Sequence, residues 1–431
     1  MPPKSTIGIK TPFEQNSYNP NVDKWLDDKR AVDGAGDLWR IHDGLYDFTK
    51  FIKMHPGGQF WLQETQGMDI TEAFESHHIS IVPETLLKHY FIKQADTPRA
   101  SPFTFHGEGF YKTLKENVRE IIKDIPRQPQ TLSNIYSDSL LAGTFFFAII
   151  ATRFWNFYFG IASALLFSLT IVAAHNYSHQ RDNLRMHYSD FCMEKSRDWR
   201  ILHILSHHLF TNTIADLQAY GLEPLIITYP QKKPFMAKYG SWFYLPFLLW
   251  PTRYPLQSIS RLHKLIFVWK GEKINLVDYT PYSLPFLMYF LGSQSLFTTI
   301  MMWEFILAVG GFIFGAIAFT SSHFHPDIFI DGDTARKEKD WGMFQLDCIA
   351  DRKEVAGNHF LVLVTFGDHA LHHLFPTLDH GILKHLYPVV IETMKKFKLD
   401  LNMKSTVDMF TGYFRQVARE EPNLNPPGFK S

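Results

Sequence analysis

The stretch His203-Ile204-Leu205-Ser206-His207-His208 places three imidazoles within six residues, and two similar motifs flank it along the chain. Residues 175–179 read HNYSH, and residues 369–373 read HALHH. On a helix, positions i and i+4 share one face, so two histidines at that spacing can reach one metal ion. A single HxxxH pattern more often marks a helix surface, but eight histidines in three such motifs predict metal binding.

The composition narrows the chemistry of that site. The 431 residues include 21 histidines but only two cysteines, Cys192 and Cys348, so a bound metal is expected to be held through nitrogen. Imidazole suits iron, copper, nickel or zinc, and eight ligands exceed what one ion uses, which predicts two ions. The 43 basic and 43 acidic residues cancel, which gives no electrostatic case for a nucleic-acid partner.

Two long apolar runs separate the histidine motifs. Residues 140–174 and 283–321 contain a single charged residue each. Because one membrane-spanning helix needs about 20 residues, each run suits a helical hairpin. The first hairpin is expected to break near Arg153–Asn156, and the second near Gly292–Ser295 or near Glu304. These runs predict about four transmembrane helices in two hairpins, and they disfavour the alternative of buried core helices in a soluble protein.

The loop between the two runs, residues 175–282, predicts the orientation in the membrane. Its basic residues lie mostly near the ends of the spans, so the positive-inside rule places this loop, the metal site and both termini in the cytosol. Shorter apolar runs such as Trp242–Trp250 are too brief to span and are expected at the interface. The basic residues are Arg181, Arg185, Arg197, Arg200, Arg253, Arg261, Lys264, Lys270 and Lys273.

A different motif lies near the N-terminus. His55-Pro56-Gly57-Gly58 predicts a sharp turn with few side chains, which lets a bulky planar group approach the backbone. The stretch Thr71-Glu72-Ala73-Phe74 and the pair His77-His78 follow about two dozen residues later. Two histidines at this separation among aromatic residues suit the axial ligation of a haem. From the residues alone, a plain structural turn explains the motif equally well.

With these motifs in view, residues 20–95 resemble the cytochrome b5 family. In that family the histidine before Pro-Gly-Gly is one axial haem ligand, and a second histidine follows the acidic-Ala-Phe stretch. The resemblance implies a small α+β domain that binds heme b through His55 and His78. His77 is the runner-up for the second ligand.

Residues 96–135 form the predicted connection to the rest of the chain. Residues 95–102 have the composition of a linker. From Phe110 to Ile122, apolar residues then recur at helical spacing among Lys and Glu, which predicts an amphipathic helix. That helix is expected either to lie on a membrane surface or to pack on the protein.

Over nearly the whole chain, the three histidine motifs around two hydrophobic hairpins resemble the membrane fatty-acid desaturases. An N-terminal cytochrome b5 domain is the front-end arrangement within that group. The resemblance implies that residues 136–415 form an all-α membrane desaturase domain with a cytosolic helical cap. In the family the motifs hold two non-haem iron ions, and the ligands implied in this chain are His175, His179, His203, His207, His208, His369, His372 and His373.

The resemblance also implies residues around the metal. In the family a further ligand often follows the last span, and His323 matches that position, with His325 second. Asp216 and Asp368 are expected either to orient imidazoles or to be helix-terminal or solvated residues. Front-end members usually begin the third motif with Gln, whereas this chain has His369, so the position of the double bond stays open.

The implied function is an oxygen-dependent oxidoreductase of the endoplasmic reticulum membrane that introduces a double bond into a fatty acyl chain. Its haem is expected to receive electrons from cytochrome b5 reductase. The first alternative is a hydroxylase of fatty acids, sphingolipids or sterols on the same scaffold, which residue types do not distinguish. The second is a membrane-tethered haem electron carrier without catalysis, against which the complete set of eight histidines argues.

Overall fold

The computed structural model describes residues 4–10, 21–221, 223–267, 276–292 and 295–427. The chain begins with a small α+β part and continues as a helical body. Residue 20 of the predicted haem domain and the basic residues Lys270 and Lys273 lie outside the described residues. The elements of the small part are α1 (Val22–Asp33), β1 (Trp39–Ile41), β2 (Gly44–Tyr46), α2 (Gln59–Glu64), α3 (Thr71–His77), α4 (Val82–Leu86) and β3 (Phe91–Gln94).

An antiparallel sheet organises the small part. β1 pairs with β2 so that Trp39 lies opposite Tyr46, and β3 adds to the other edge of β2. The buried Trp39 donates from its indole Nε1 to the carbonyl of Leu62 in α2, at 3.1 Å. This bond ties the sheet to the helices, and residues of α2, α3 and α4 line a cavity next to it.

Helix α5 (Phe110–Ile122) is the predicted amphipathic helix, and it packs on the protein rather than on a membrane surface. The Tyr111 hydroxyl donates to the carbonyl of Leu374 at 2.9 Å, and its ring meets Trp341 edge-on with centroids 4.8 Å apart. The apolar face of the helix therefore belongs to the core. Its fully buried residues are Phe110, Tyr111, Leu114 and Val118.

A buried carboxylate joins α5 to the small part. Glu75 of α3 lies 2.8 Å from Lys112 Nζ, 2.9 Å from Lys115 Nζ and 2.8 Å from His42 Nε2. Burial alone would raise the pKa of Glu75, but the His42 hydrogen bond and the two ammonium groups outweigh it and hold that pKa well below the usual range. The charged carboxylate is thus part of the folded structure.

Two long apolar helices follow, α6 (Gln128–Phe154) and α7 (Phe157–Ser178). α6 ends where Trp155 takes a left-handed φ of 48°, and the Asn156 side chain caps α7 by accepting from the Tyr158 amide. The predicted break near Arg153–Asn156 is therefore where these helices meet. Together with the helix Leu296–Ala318, they are the three helices among the described residues that are long and apolar enough to cross a membrane.

Short helical segments and three longer helices make up the middle of the chain. Its helices are α8 (Ser196–Trp199), a π-helical segment (Arg200–His208), α9 (Leu217–Tyr220), a π-helical segment (Met236–Gly240), α10 (Ser241–Tyr244), a π-helical segment (Leu245–Leu249), α11 (Trp250–Phe267), α12 (Ser283–Gly292) and α13 (Leu296–Ala318). α10, α11 and the π-helical segment between them leave a row of apolar side chains exposed, as is typical of a helix at a membrane interface. That row includes Phe243, Phe247, Leu256, Ile259, Ile266 and Phe267.

The second apolar run divides after Gly292. α12 has 10 residues, fewer than a helix needs to span a membrane, and α13 has 23. The Ser295 side chain caps α13 by accepting from the Thr298 amide. Residues 293 and 294, inside the predicted break, lie outside the described residues.

The C-terminal elements complete the helical body and share a core with the small part. That core joins Trp25 and Trp39 to Tyr111, Trp341 and Leu371, so the two parts fold against each other. The C-terminal elements are α14 (Trp341–Asp347), β4 (Asp351–Arg352), α15 (His359–Thr365), α16 (His369–Leu374), α17 (His380–Leu383), α18 (Tyr387–Lys396), β5 (Met403–Lys404) and α19 (Thr406–Ala418).

Replacing Glu75 with Gln is expected to destabilise the protein by about 3–5 kcal/mol, because the buried Lys115 ammonium loses its carboxylate. Since the folded pKa of Glu75 is depressed, its contribution is present above the ordinary value of 4.5 and is lost as the pH falls below it. Denaturant unfolding followed by tryptophan fluorescence measures both effects. Glu120→Gln removes an exposed pair with Lys123 and is expected to cost less than about 1 kcal/mol; equal losses in the two variants would contradict the assignment.

Candidate metal and haem sites

The three histidine motifs come together at one end of the long helices. His175 belongs to the last turn of α7, and His179 caps that helix. The second motif is the π-helical segment Arg200–His208, and the third is α16. All eight side chains are buried.

Five histidines form the first group, called here the five-histidine cluster. One ligand atom from each lies within 4.8 Å of the others, and the members are His175, His179, His203, His208 and His372. The Nε2 atom of His175 is 2.8 Å from that of His203, 3.2 Å from that of His179 and 3.1 Å from that of His372. Nitrogen ligands about 2.1 Å from a shared ion at right angles lie roughly 3.0 Å apart, so these spacings fit one bound cation.

Four histidines form the second group, the four-histidine cluster: His207, His323, His369 and His373. The Nε2 atom of His323 lies 3.1 Å from that of His207 and 2.7 Å from that of His369. The structure thus brings His323 to the motif histidines. His325 lies elsewhere, with Nε2 3.1 Å from the Arg415 guanidinium and 3.4 Å from the Asp408 carboxylate.

The π-helical turn decides how the second motif is shared between the clusters. In a π-helix the bonded pairs are i and i+5, so side chains five apart share a face. His203 and His208 accordingly meet, with Nε2 atoms 3.1 Å apart, whereas His207 joins the other cluster. The α-helical spacing rule would have paired His203 with His207 instead.

Neighbouring acceptors fix which ring nitrogen faces each cluster. His207 Nδ1 is 2.8 Å from the Asp216 carboxylate, and His323 Nδ1 is 3.3 Å from the Cys348 carbonyl. Both partners only accept, so each Nδ1 carries the proton and each Nε2 presents a lone pair. Two lone pairs 3.1 Å apart repel each other unless a cation lies between them, so this donor set fits a metal ion.

Two further imidazoles are oriented by a side-chain acceptor in the same way. His203 Nδ1 is 2.8 Å from Gln218 Oε1, and His373 Nδ1 is 2.9 Å from Gln345 Oε1. Burial lowers the pKa of six of the cluster imidazoles, which keeps them unprotonated and able to bind metal. These residues are His203, His208, His323, His369, His372 and His373.

Some residues near the clusters were not predicted. His380 Nε2 lies 3.3 Å from His372 Nδ1, so it is placed to orient that ring. The Trp199 indole stacks on His203 with centroids 4.5 Å apart and planes at 10°. His380 follows the third motif on a separate short helix, and no spacing pattern connects it to the motif.

The two aspartates considered as orienting residues differ. Asp216 caps α9 and also accepts from His207 Nδ1, so it fills both expected roles. The Asp368 carboxylate instead accepts from the Tyr387 hydroxyl at 2.7 Å and from the Gly357 amide at 2.9 Å. It therefore braces the turn before α16, where Asp368 occupies the N-terminal cap position, so of the two expected roles the structure agrees with the helix-terminal one.

A cavity of about 370 Å³, called here the haem cavity, lies mostly in the small N-terminal part and is closed on one side by the helical body. The rings of His55 and His78 face each other across it with centroids 6.1 Å apart. Two imidazoles on opposite sides of one ion, each bonded at about 2.0 Å, would place their centroids roughly 6 Å apart. The Nδ1 atoms are 2.8 Å from the Gly58 carbonyl and 3.0 Å from the Phe74 carbonyl, which leaves both Nε2 atoms available to a metal.

The haem cavity has the walls that a planar porphyrin needs. Its lining is mostly apolar and includes Phe48, Phe51, Leu62, Ile70, Phe74 and Leu87. A Cβ atom on Gly57 would come within 2.9 Å of the His55 ring, so this turn keeps space beside the ligand only because it lacks side chains. His77 stands aside, with Nδ1 3.0 Å from the Ala73 carbonyl and its ring 5.9 Å from that of Trp61. The geometry therefore favours His78 over His77.

Replacing His323 with Ala is expected to lower the bound transition metal by about one ion per chain, because the four-histidine cluster loses a ligand. Replacing His325 with Ala is the matched control, since it removes an equally buried imidazole two residues away that lies in neither cluster. Elemental analysis of the purified proteins measures the metal. Equal metal content in the two variants would contradict the assignment of His323.

Replacing His78 with Ala is expected to abolish haem binding or shift its absorption spectrum away from that of a bis-histidine haem. His77→Ala should retain the wild-type spectrum, because His77 does not face His55. Visible spectra of the oxidised and reduced proteins distinguish the two. A normal spectrum in His78→Ala combined with a lost one in His77→Ala would reverse the assignment.

Two family models match the chain. The model described as a cytochrome b5-like heme/steroid binding domain matches residues 26–96. The model described as fatty acid desaturase matches residues 152–405, which is more than half of the chain.

Curated relatives match along nearly the same length. The cytochrome b5-related protein of Drosophila melanogaster is 38% identical over 99% of this chain and 98% of its own. Delta(5) fatty acid desaturase A of Dictyostelium discoideum is 27% identical over 85% of this chain and 87% of its own. The acyl-lipid (8-3)-desaturase of Mortierella alpina is 22% identical over 87% of this chain and 92% of its own. No solved structure matches the chain. The histidine clusters, the haem cavity and these matches lead to one conclusion: the chain belongs to the fatty acid desaturase family of oxidoreductases and carries an N-terminal cytochrome b5-like domain.

Proposed function

We propose that this protein is a membrane-bound, oxygen-dependent fatty acyl desaturase with a fused cytochrome b5 electron donor. The observation that carries the proposal is the convergence of nine buried histidines in two adjacent clusters. Their Nε2 atoms stand at the spacings that ligands of two separate ions would take. A non-catalytic electron carrier would have no use for this second, costly set of buried imidazoles.

Two non-haem iron ions are the proposed occupants. The five-histidine and four-histidine clusters would each hold one ion, with His323 completing the second set. Zinc also suits imidazole, but it has no redox chemistry, and a haem domain on the same chain implies electron transfer. When bound, the iron pair would supply the oxygen activation and hydrogen removal that convert two methylenes of the acyl chain into a double bond.

The haem domain is the proposed electron donor. His55 and His78 would hold heme b, which supplies one electron at a time received from cytochrome b5 reductase. The chain's own residues keep this group in an apolar cavity and fix both ligand tautomers through the Gly58 and Phe74 carbonyls. Residues 20–95 are proposed as this domain, residues 96–135 as its connection, and residues 136–415 as the desaturase domain.

An apolar wall beside the clusters is the proposed approach for the acyl chain. The Phe366 ring lies 5.0 Å from the ring of His175 and 6.4 Å from that of Phe314 in α13. Phe366 and Phe314 belong to the core between the long apolar helices. A methylene chain entering from that side would meet the clusters without bringing water, which protects a strong oxidant from side reactions.

The proposed arrangement in the membrane has about four transmembrane helices in two hairpins, with the histidine clusters in a cytosolic helical cap. α6, α7 and α13 are long enough to span, whereas α12 would need neighbouring residues to complete the fourth span. The positive-inside distribution supports cytosolic termini. Residence in the endoplasmic reticulum is proposed from the resemblance to the desaturase family together with the cytosolic topology. The two Dictyostelium and Mortierella relatives are named for desaturation of acyl chains. We propose an acyl substrate for this chain too. We propose no position for the double bond, because His369 departs from the front-end pattern.

The lipid profile of cells that express the chain tests this function. Cells supplied with varied acyl chains are expected to accumulate new unsaturated products, identified by mass spectrometry of their methyl esters. His372→Ala is expected to abolish them while leaving the haem spectrum intact, because it removes a ligand of the five-histidine cluster. His385→Ala, an exposed histidine, is the control. Hydroxylated products would establish the hydroxylase instead, and an unchanged profile across all donors would sink the desaturase proposal.

A further inference from the structure

We propose that the haem domain is permanently docked and that Arg200 is the positioning residue that holds the haem cavity against His179. Electrons would then enter the metal site at the five-histidine cluster. This inference rests on the proposed function and adds a defined route to it. The contacts that carry it lie between the HPGG turn, α2 and the chain around His179, a surface called here the seam.

The haem cavity is shared by both domains. Its lining includes His55, His78 and Trp61 from the small part, but also His179 and Leu205 from the helical body. His179 is therefore a wall of the haem cavity and a member of the five-histidine cluster at once. The four histidines of the other cluster do not appear among the lining residues of this cavity.

Arg200 donates hydrogen bonds to the backbone on both sides of His179. Its Nε donates to the Ser178 carbonyl at 3.1 Å, and its Nη2 donates to the Gln180 carbonyl at 3.2 Å. Nη1 donates to the Asp182 carboxylate at 2.7 Å. The guanidinium is buried, and its bonds to the carbonyls on either side of His179 fix the turn that carries this residue.

The same guanidinium also meets the haem domain. Its central carbon lies 4.8 Å from the centroid of the Trp61 ring and 5.2 Å from that of Phe60. The Trp61 indole in turn donates to the Gly57 carbonyl at 3.0 Å, within the turn that follows His55. A continuous set of contacts therefore runs from the haem-ligand turn through Trp61 and Arg200 to His179.

Close approach at Gly58 shows how tightly the seam is packed. Gly58 has a φ of +104°, and a Cβ atom there would lie 2.5 Å from an Asp182 carboxylate oxygen. No other residue type fits both the backbone conformation and this space. At the rim, Arg197 pairs with Glu64 of the haem domain at 2.9 Å. The Trp25 indole also donates to the Ala215 carbonyl at 2.9 Å.

The proposed route has a simple electron balance. The residues at the seam would pass one electron at a time from a haem held by His55 and His78 to an ion held by the five-histidine cluster. The haem would lose that electron and the ion would gain it, with no atom or proton transferred. Electron tunnelling slows steeply as distance grows. A few ångströms of displacement at the seam would therefore slow this transfer without altering either site.

Arg200→Gln tests the route in the full-length protein loaded with haem and iron. After reduction of the haem by its reductase, oxygen and acyl substrate are mixed in and haem reoxidation is followed by stopped-flow absorbance. The rate is expected to fall at least tenfold, and hydrogen exchange of the amides near residues 57–61 and 178–182 to increase. Haem spectrum, midpoint potential, iron content and the rate of haem reduction should stay unchanged, since neither ligand set is altered.

Two variants frame that result. Arg185 belongs to the same loop, but it pairs with Asp138 at 2.7 Å and does not face the haem domain. The haem of the Arg185→Gln variant should therefore reoxidise at the wild-type rate. Arg200→Lys keeps the charge but loses the forked donors, and should recover only part of the rate. Reoxidation within twofold of wild type in Arg200→Gln would overturn the proposal.

A cross-link keeps the proposal falsifiable if Arg200 variants lose iron or fail to fold. Cys192 and Cys348 are buried, so Glu64→Cys with Arg197→Cys can be joined across the seam by a short bismaleimide. Cross-linked protein is expected to reoxidise its haem as fast as the unlinked double variant. If the haem domain must leave the seam in each cycle, linking will stop reoxidation while the haem still reduces, and the docked route is wrong.

The same measurements separate this inference from the proposed function. The proposed function itself is contradicted by two results together. The wild-type haem would reoxidise no faster than the haem of His372→Ala, and the wild-type protein would yield no modified acyl chain. The docked route alone is contradicted if the wild-type protein reoxidises its haem and forms product, while the Arg200→Gln protein reoxidises at the wild-type rate or the cross-linked protein stops reoxidising.

Discussion

Neutral imidazoles that point their lone pairs at one another cannot stay buried together without a cation between them. His207 and His323 are held in that way, because the Nδ1 proton of each ring is donated to an acceptor on its far side while the two Nε2 atoms lie 3.1 Å apart. Seven further buried histidines converge on the same region. The surrounding fold can be understood as the support for this arrangement. Asp216, Gln218 and Gln345 hold ring orientations. The long helix α7 and the short helix α16 supply ligands, His175 and His372, that are 197 positions apart in the chain.

The histidine spacings and the apolar runs were sufficient to predict a helical membrane protein with a metal site, whereas the haem domain before it was predicted only through the resemblance of residues 20–95 to the cytochrome b5 family. The family is confirmed by the matches to both family models and to a relative along nearly the whole chain. His-Pro-Gly-Gly and HALHH carry this information because each is a local motif whose geometry follows from a few neighbouring residues. The break between α6 and α7 was equally local, since Trp155 and Asn156 end one helix and cap the next.

What the sequence did not reveal depends on contacts between distant residues. A π-helical turn is invisible to a 3.6-residue period, so the division of His203, His207 and His208 between two clusters could not be anticipated. His380 reaches His372 only through the packing of a separate helix. Asp368 has the position expected of an orienting carboxylate, yet that carboxylate accepts a hydrogen bond from the Tyr387 hydroxyl of α18. The packing of the haem domain on His179 likewise arises from a core that joins residues hundreds of positions apart.

The central claim is that one chain holds a haem iron and two separate non-haem irons at the positions these side chains define. An anomalous difference map collected at the iron absorption edge from crystals of the purified protein tests it most directly. Three peaks are predicted in each chain: one between His55 and His78, one within the five-histidine cluster, and one within the four-histidine cluster. A map with the haem peak alone, or with a single peak shared by the nine histidines, would contradict the account.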